Sequence, residues 1–376
     1  MLRNQVISRL SRVIRISQVH RAFFWCRDRI EFYTSRHEPA KLEKVGEKRA
    51  SRLAILAIFQ TRGLSIFVKR EVDFLISLGY DVAVSVPHDL SEEDRVFLDA
   101  RCRFRISRPN LGRDFGSYRD GILQVGFARI AEYERVLLLN DSIYFPIGPV
   151  ERFADEFAAA TSRADVVGLT ENSSTIRHLA SFFIDCSTKV FCSEPVVEYW
   201  KNYKLYNSRF YAIRHGECGL SQVLYKCARS IELLYSAERI TEAAYRNFDG
   251  TLDTLRSAYL LADPFWRDTK HRLVSQNVAR SKDASTMVFV DSLRQILEGG
   301  SVPHSFGLHL LVAFGAPFLK RDVYYHEIYD LPQVQSALRG RVDDEALNNI
   351  MLELRKRGAA HNQTFWTELM VRLGIR

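Results

Sequence analysis

Long apolar runs are missing from this chain of 376 residues. The longest, such as Leu53–Phe59 and Val136–Leu139, fall far short of the ~20 residues a helix needs to cross a bilayer, so integral membrane helices are excluded. Six cysteines stand at 26, 102, 186, 192, 218 and 227, with no Cys-x-x-Cys pair and no matching histidine spacing, which argues against a zinc module. Neither G-x-x-x-x-G-K-[ST] nor G-x-G-x-x-G occurs, so the usual nucleotide fingerprints are absent too. An apolar secretory leader is also lacking, because Arg9, Arg12 and Arg15 interrupt the first residues. A cytoplasmic protein with reduced thiols is therefore expected.

What remains is globular. The chain is 47% apolar and 26% charged, long enough for two compact units or one large one with an appendage. Its net charge of +8 is unevenly placed. Residues 1–50 hold twelve Lys/Arg against five Asp/Glu, so the remainder carries only about +1. A nucleic-acid-binding protein would carry its charge on the folded body, and no nucleic-acid partner is expected. Within the arm, Val6, Ile7, Leu10, Val13 and Ile14 recur at helical spacing, with Phe23, Phe24 and Trp25 following. Such a basic amphipathic helix suits an anionic membrane face, a peripheral location on the inner face of the plasma membrane. It equally suits packing on the body with its arginines solvated, and an organellar transit peptide is a third reading.

Residues 37–50 read as a charged linker. Strand Leu53–Phe59, helix Ser65–Leu78 and strand Asp81–Val86 then make a β-α-β unit, and a mostly parallel sheet follows from it. Helix Ser91–Ala100 and strand Arg103–Ile106 come next, then a helix over about Tyr118–Ala131 and strand Arg135–Leu139. Helix Glu151–Ala160 and strand Asp165–Leu169 continue the alternation, with Phe182–Ile184 and Val190–Phe191 as further strands. Residues 240–300 show no clear order, and helical patterns resume at 333–340, 343–356 and from Thr364.

Two polar clusters stand out, both in loops that follow strands, where open α/β sheets bind ligands. In Asn110-Leu111-Gly112-Arg113-Asp114-Phe115-Gly116, two glycines allow close backbone approach at a helix start, and Arg113 offers a bidentate phosphate partner. A glycine-containing turn with an Arg–Asp surface pair is the plainer account. Asn140-Asp141-Ser142 ends an apolar strand, a common place for a carboxylate to hold Mg²⁺ or Mn²⁺ against a diphosphate. An Asx-turn that closes the strand explains it as well. The aromatic stretch Tyr199, Trp200, Tyr203, Tyr206, Phe210 and Tyr211 fits core packing better than sugar stacking.

With these motifs the chain resembles the rhamnan synthesis protein F family of bacterial polysaccharide glycosyltransferases. The resemblance rests on Asn110–Gly116 and Leu139–Pro146, then Gly168-Leu169-Thr170, His178–Phe183, Gly216–Ser221 and Pro317–Arg321, in the family's order over about 51–330. It implies an α/β, GT-A-like Rossmann-type fold for nucleotide-diphospho-sugar transfer, with a C-terminal helical section. The division that goes with it is a basic arm and linker (1–50), a GT-A-like domain (51–330) and a helical segment (331–376). The implied reaction moves a hexose, commonly rhamnose, from a nucleotide-diphosphate donor to a cell-surface glycan or its lipid-linked precursor. Asn110, Gly112, Arg113, Asp114 and Gly116 would then line the donor, with Asn140, Ser142, His178, Lys320 and Arg321. Asp141 stands in the D-x-D place as metal ligand, in a triplet holding one carboxylate, so that Arg113 or Lys320-Arg321 could share the neutralisation of the leaving diphosphate. Glu217 is the candidate base for the acceptor hydroxyl; capping of a helix first turn explains it otherwise. Other readings are a metal-dependent phosphohydrolase and a non-catalytic basic scaffold on membrane or nucleic acid.

Overall fold

The computed structural model describes residues 18–34, 38–173, 176–258, 260, 282–298, 301–326 and 328–359. The helices expected over 5–16 and from Thr364 lie outside the described residues. Strands run, in chain order, over Lys41–Val45 (β1), Arg52–Ala57 (β2), Tyr80–Val86 (β3), Phe104–Ser107 (β4), Arg135–Asn140 (β5) and Ile143–Tyr144 (β6). They continue over Val166–Gly168 (β7), Glu171–Asn172 (β8), His178–Leu179 (β9), Phe183–Ser187 (β10), Ile231–Leu233 (β11) and Leu319–Lys320 (β12). Four helices matter below: Gln18–Thr34 (α1), Ile66–Ser77 (α2), Glu92–Arg101 (α3) and Arg113–Val125 (α4). The chain divides into two compact units. One takes in Met1–Asp141, Ser181–Arg229 and Gly358–Arg376; the other takes in Ser142–Ala180 and Ser230–Arg357.

In the first unit, β4, β3, β2 and β5 lie side by side and parallel, with β1 antiparallel to β4 and β10 antiparallel to β5. The apolar runs dictate this. Leu53, Ile55, Leu56, Val82, Val84, Val136, Leu137 and Leu139 are fully buried, as strands covered on both faces must be. Ser65 caps α2 by accepting from the Val68 N–H, and Phe67, Val68, Val72 and Leu75 form its inner face. Burying each of those side chains stabilises the unit by roughly 1.5–3 kcal/mol. Ser91 does the same for α3 through the Asp94 N–H. Asp185 on β10 is wholly buried and satisfied by Arg135 and by the Tyr80 hydroxyl at 2.7 Å. Breaking such a pair from one side typically costs about 3–5 kcal/mol.

The order of the parallel strands sets up the site. From β2 the chain steps outward to β3 and then β4, after which β5 returns to the opposite side of β2. The direction therefore reverses between β2 and β5, and at such a reversal the connecting loops part and leave a crevice at the carboxyl ends.

In the second unit β7 and β11 pair parallel, β6 and β12 antiparallel, and β8 and β9 form a short antiparallel pair. The rest is mostly helical, including Lys282–Glu298, Leu331–Leu338 and Asp344–Arg357 towards the C-terminus. Asp330 and Gln333 form a reciprocal capping box at the start of Leu331–Leu338. The α/β expectation holds, with a parallel-rich sheet and a helical C-terminal part.

Three local expectations are corrected. The linker expected over 37–50 contains β1, a strand exposed at Lys41, Glu43 and Val45 that covers the edge of β4. Val190–Phe191, expected as a strand, closes a short helix, Thr188–Phe191, whose turn is completed by the Cys192 N–H on the Thr188 carbonyl at 2.8 Å. The helix expected from Tyr118 begins at Arg113, which puts Arg113 and Asp114 in its first turn. In the unordered stretch 240–300, the described residues form the helices Ala237–Arg246, Phe248–Ser257 and Lys282–Glu298.

Candidate functional site

Beyond the carboxyl ends of β2, β3 and β4, the first unit holds a cavity of about 310 Å³. Ala57, Ile58, Phe59 and Pro87 form one wall, and Asn110, Arg113, Asp114 and Ser117 another, with Asn207 closing the side. Three of the residues singled out from the sequence thus share one cavity.

The loop that supplies them is held by close approach. Gly112 adopts φ +75° and Arg113 φ +53°, a left-handed pair rarely formed by a residue with a side chain. Asn207 holds that conformation: its Oδ1 accepts the Gly112 N–H at 2.7 Å, and its carbonyl accepts from Arg113 Nε at 2.7 Å. Its amide in turn donates to Glu31 on α1. At Gly116 a Cβ would lie 2.1 Å from the Leu111 carbonyl oxygen and 2.7 Å from Arg108 Nη2. Arg108 needs that space. Its guanidinium is buried, pairs with Asp120 at 2.8 Å, and donates to Ser117 and to the Leu111 carbonyl. Gly112 and Gly116 therefore shape the loop, while Arg113 and Asp114 face the cavity at the start of α4.

Asn140 and Asp141 join this group through hydrogen bonds. Asp141 Oδ2 accepts the Phe59 N–H at 3.1 Å, and its own N–H donates to Ala57, which ties the end of β5 to the end of β2 at the reversal point. Asn140, nearly fully buried, donates from its amide to Asp114 Oδ2 at 3.1 Å and hydrogen-bonds the Tyr118 hydroxyl. Burial pushes that hydroxyl far above its usual pKa, so it stays a donor, to the Ser181 carbonyl at 2.9 Å. Ser181 Oγ then donates to Glu217 Oε1 at 3.0 Å. One network therefore runs from Asp114 through Asn140, Tyr118 and Ser181 to Glu217. Glu217 ends a π-helical run, Ala212–Glu217, a local widening often found at functional sites. Gly216 within it packs where a Cβ would fall 2.7 Å from the Phe115 ring.

The other sequence-expected residues belong to the second unit. Lys320 Nζ donates to Ser142 Oγ at 2.9 Å. Arg321 is buried, held by Glu353 at 2.7 Å and the Ile143 carbonyl, with its guanidinium over the Tyr144 ring. His178 is buried on β9, Nδ1 2.6 Å from the Ile176 carbonyl oxygen. This unit also has a cavity of about 400 Å³, but Arg152, Glu156 and Arg239 on its wall pair among themselves and with Glu232, and it holds none of the expected residues. Of the aromatic stretch, Trp200 and Tyr203 are buried against Phe115, as core packing requires.

Sequence reasoning missed Asn207. The signal available, an Asn among tyrosines, is no different from any loop asparagine, and its target lies 95 residues earlier in the chain.

Comparison with known proteins gives three findings. Residues 82–249, a little under half of the chain, match the model of the RgpF family, rhamnan synthesis protein F, which bears out the resemblance over that span. The uncharacterized protein y4gN of Sinorhizobium fredii is 33% identical over 214 residues, and the chain spans about half the length of this curated relative, 55% of each being covered. A solved structure of a putative nucleotide-diphospho-sugar transferase from Desulfovibrio desulfuricans G20 is 11% identical and covers 66% of this chain and 99% of its own. Its TM-score of 0.32 is too low to equate the two folds.

Proposed function

We propose that this chain, matched over 82–249 to the rhamnan synthesis F proteins, is a glycosyltransferase that takes its sugar from a nucleotide-diphosphate donor. The observation that carries this reading is the cavity beyond the carboxyl ends of β2, β3 and β4, where Asn110, Arg113 and Asp114 converge within the matched span. On this reading the nucleoside rests against Ala57–Phe59 and Pro87. The diphosphate faces the N-terminal turn of α4, where the positive end of the helix dipole and Arg113 complement its charge. Asn140 holds Asp114 in place, and Asp141, fixed by Phe59, stands at the crevice.

Mg²⁺ or Mn²⁺ takes oxygen ligands and leaves several positions to water and phosphate, so one or two protein carboxylates suffice. Asp141 and Asp114 fit such a loosely held ion, which when bound would neutralise the leaving diphosphate. Arg113 shares that task. Glu217 is the proposed base for the acceptor hydroxyl, with Ser181 orienting its carboxylate. Rhamnose as the sugar, a surface glycan or lipid-linked glycan as acceptor, and a station on the inner face of the plasma membrane through the arm belong to the same proposal. Among the described residues no helix is long and apolar enough to cross a membrane.

The test is nucleoside-diphosphate release by the full chain with dTDP-, UDP- and GDP-sugars and Mg²⁺ or Mn²⁺, beside Asp141→Asn and Asp114→Asn. Release with one donor class, lost in both variants, supports the reading. Release equal in wild type and variants overturns the site, and absence of binding to every donor overturns the function.

A further inference from the structure

The second unit carries a group that the proposed chemistry does not use. His304, Asp322 and His326 each bring a potential ligand atom to within 4.8 Å of the others. His304 Nε2 lies 3.2 Å from Asp322 Oδ1, and His326 Nε2 lies 3.3 Å from Asp322 Oδ2. Ligands bound at the usual ~2.0–2.1 Å around a tetrahedral ion stand about 3.3 Å apart, so both spacings already suit a shared cation. The two imidazole rings meet edge to face with centroids 4.7 Å apart.

The surroundings orient the set. His304 Nδ1 lies 2.7 Å from Ser301 Oγ, and the tautomer that donates there leaves the Nε2 lone pair turned to Asp322. Asp322 Oδ1 is shielded from solvent, and the two carboxylate oxygens of Asp322 each face one imidazole nitrogen. Two nitrogen donors among three ligands disfavour Mg²⁺ or Ca²⁺ and leave the advantage to ions that prize nitrogen ligands.

We infer that His304, Asp322 and His326 form a binding site for a first-row divalent transition metal of the Zn²⁺ or Co²⁺ type. Two imidazoles and one carboxylate make a three-ligand set with at least one position left for water or a ligand oxygen. The set shares no ligand with the donor reading and goes beyond it.

Co²⁺ titration of the metal-stripped full chain, followed by its visible absorption and by competition with Zn²⁺, tests the inference. One equivalent per chain is expected, retained in Asp141→Asn and lost in His304→Gln and in His326→Gln, whose folding is checked by circular dichroism. A Zn²⁺-dependent rise in melting temperature in wild type, missing in His326→Gln, is the second readout. Binding that persists in both histidine variants, or vanishes in Asp141→Asn, overturns the assignment, as does absence of binding to the wild type.

Discussion

Gly116→Ala separates two physical arguments that disagree in sign. By helix propensity alone, alanine in the first turns of α4 should stabilise the chain by about 1 kcal/mol. Packing says the reverse. The added Cβ would stand 2.1 Å from the Leu111 carbonyl oxygen, a backbone atom, and 2.7 Å from Arg108 Nη2. Making room means moving the 108–112 loop by about an ångström, and overpacking of that kind costs roughly 1–3 kcal/mol. The same movement pulls the Leu111 carbonyl from Arg108 and loosens its buried pair with Asp120, a rupture that in full costs about 3–5 kcal/mol. The two losses overlap, so the net expectation is a destabilisation of about 3–5 kcal/mol. At about 2–4 °C per kcal/mol for a unit of this size, the melting temperature should fall by roughly 6–20 °C. Urea unfolding followed by far-ultraviolet circular dichroism reads it directly. Gly79→Ala is the control, with φ +81° and open space around the new Cβ, where a left-handed alanine costs about 1–2 kcal/mol. The argument fails if Gly116→Ala unfolds at or above the wild-type midpoint, or if Gly79→Ala is the more damaging of the two.

Asn207→Ala removes the side-chain acceptor of the Gly112 N–H and keeps the backbone carbonyl that holds Arg113; at about 0.5–1.5 kcal/mol, nucleoside-diphosphate binding should weaken about 2- to 10-fold in calorimetry while Trp200 and its neighbours stay packed. Burial pushes the Cys102 thiol up to about 12 and Cys186 higher still, so both should resist a thiol reagent at pH 8 in the folded chain while exposed Cys26 reacts at once. A thiol whose folded pKa is raised contributes stability that is whole below its unfolded value near 9 and is lost as pH climbs towards 12. For Cys102 that is about 1.4 kcal/mol by pH 10, and Cys102→Ala should flatten the fall by that amount in a pH series of urea midpoints. Asp185→Asn should cost about 3–5 kcal/mol by leaving Arg135 buried without its anion; a loss under 1 kcal/mol in the same urea assay rejects that account.

Much of the first unit was legible in the sequence because its elements announce themselves locally. Leu53–Phe59 and Asp81–Val86 are apolar runs stopped by polar or breaker residues, and Ser65 and Ser91 are caps whose effect reaches only three residues ahead. The start of α4 was not legible. Gly112 and Gly116 look like turn residues, and only the three-dimensional position of Arg108 explains why a helix needs a glycine there. β1 was hidden for a similar reason: Lys41-Leu42-Glu43-Lys44-Val45 has linker composition, and its pairing partner β4 lies some sixty residues on. In the site, Asn110, Arg113, Asp114, Asn140 and Asp141 came from local context, whereas Asn207 and the Ser181–Glu217 link depend on long-range closure. The His304–Asp322–His326 group fits no short spacing rule, since its first member precedes the others by about twenty residues.

The alternation of the two compact units along the chain bears on how the protein is made. On a ribosome the strands up to Asp141 emerge first, but β10, which flanks β5, comes only after the 39 residues from Ser142 to Ala180 that belong to the other unit. That intervening stretch must in turn wait for Ser230–Arg357 before its own β7 finds β11. Each unit thus closes a loop over a piece of the other, so neither can be lifted out as a continuous fragment, and a nascent chain halted at Arg229 would expose an unfinished partner for β7. Vectorial synthesis should therefore leave a vulnerable interval between the completion of β10 and the arrival of β11, the stage at which a chaperone would have most to hold.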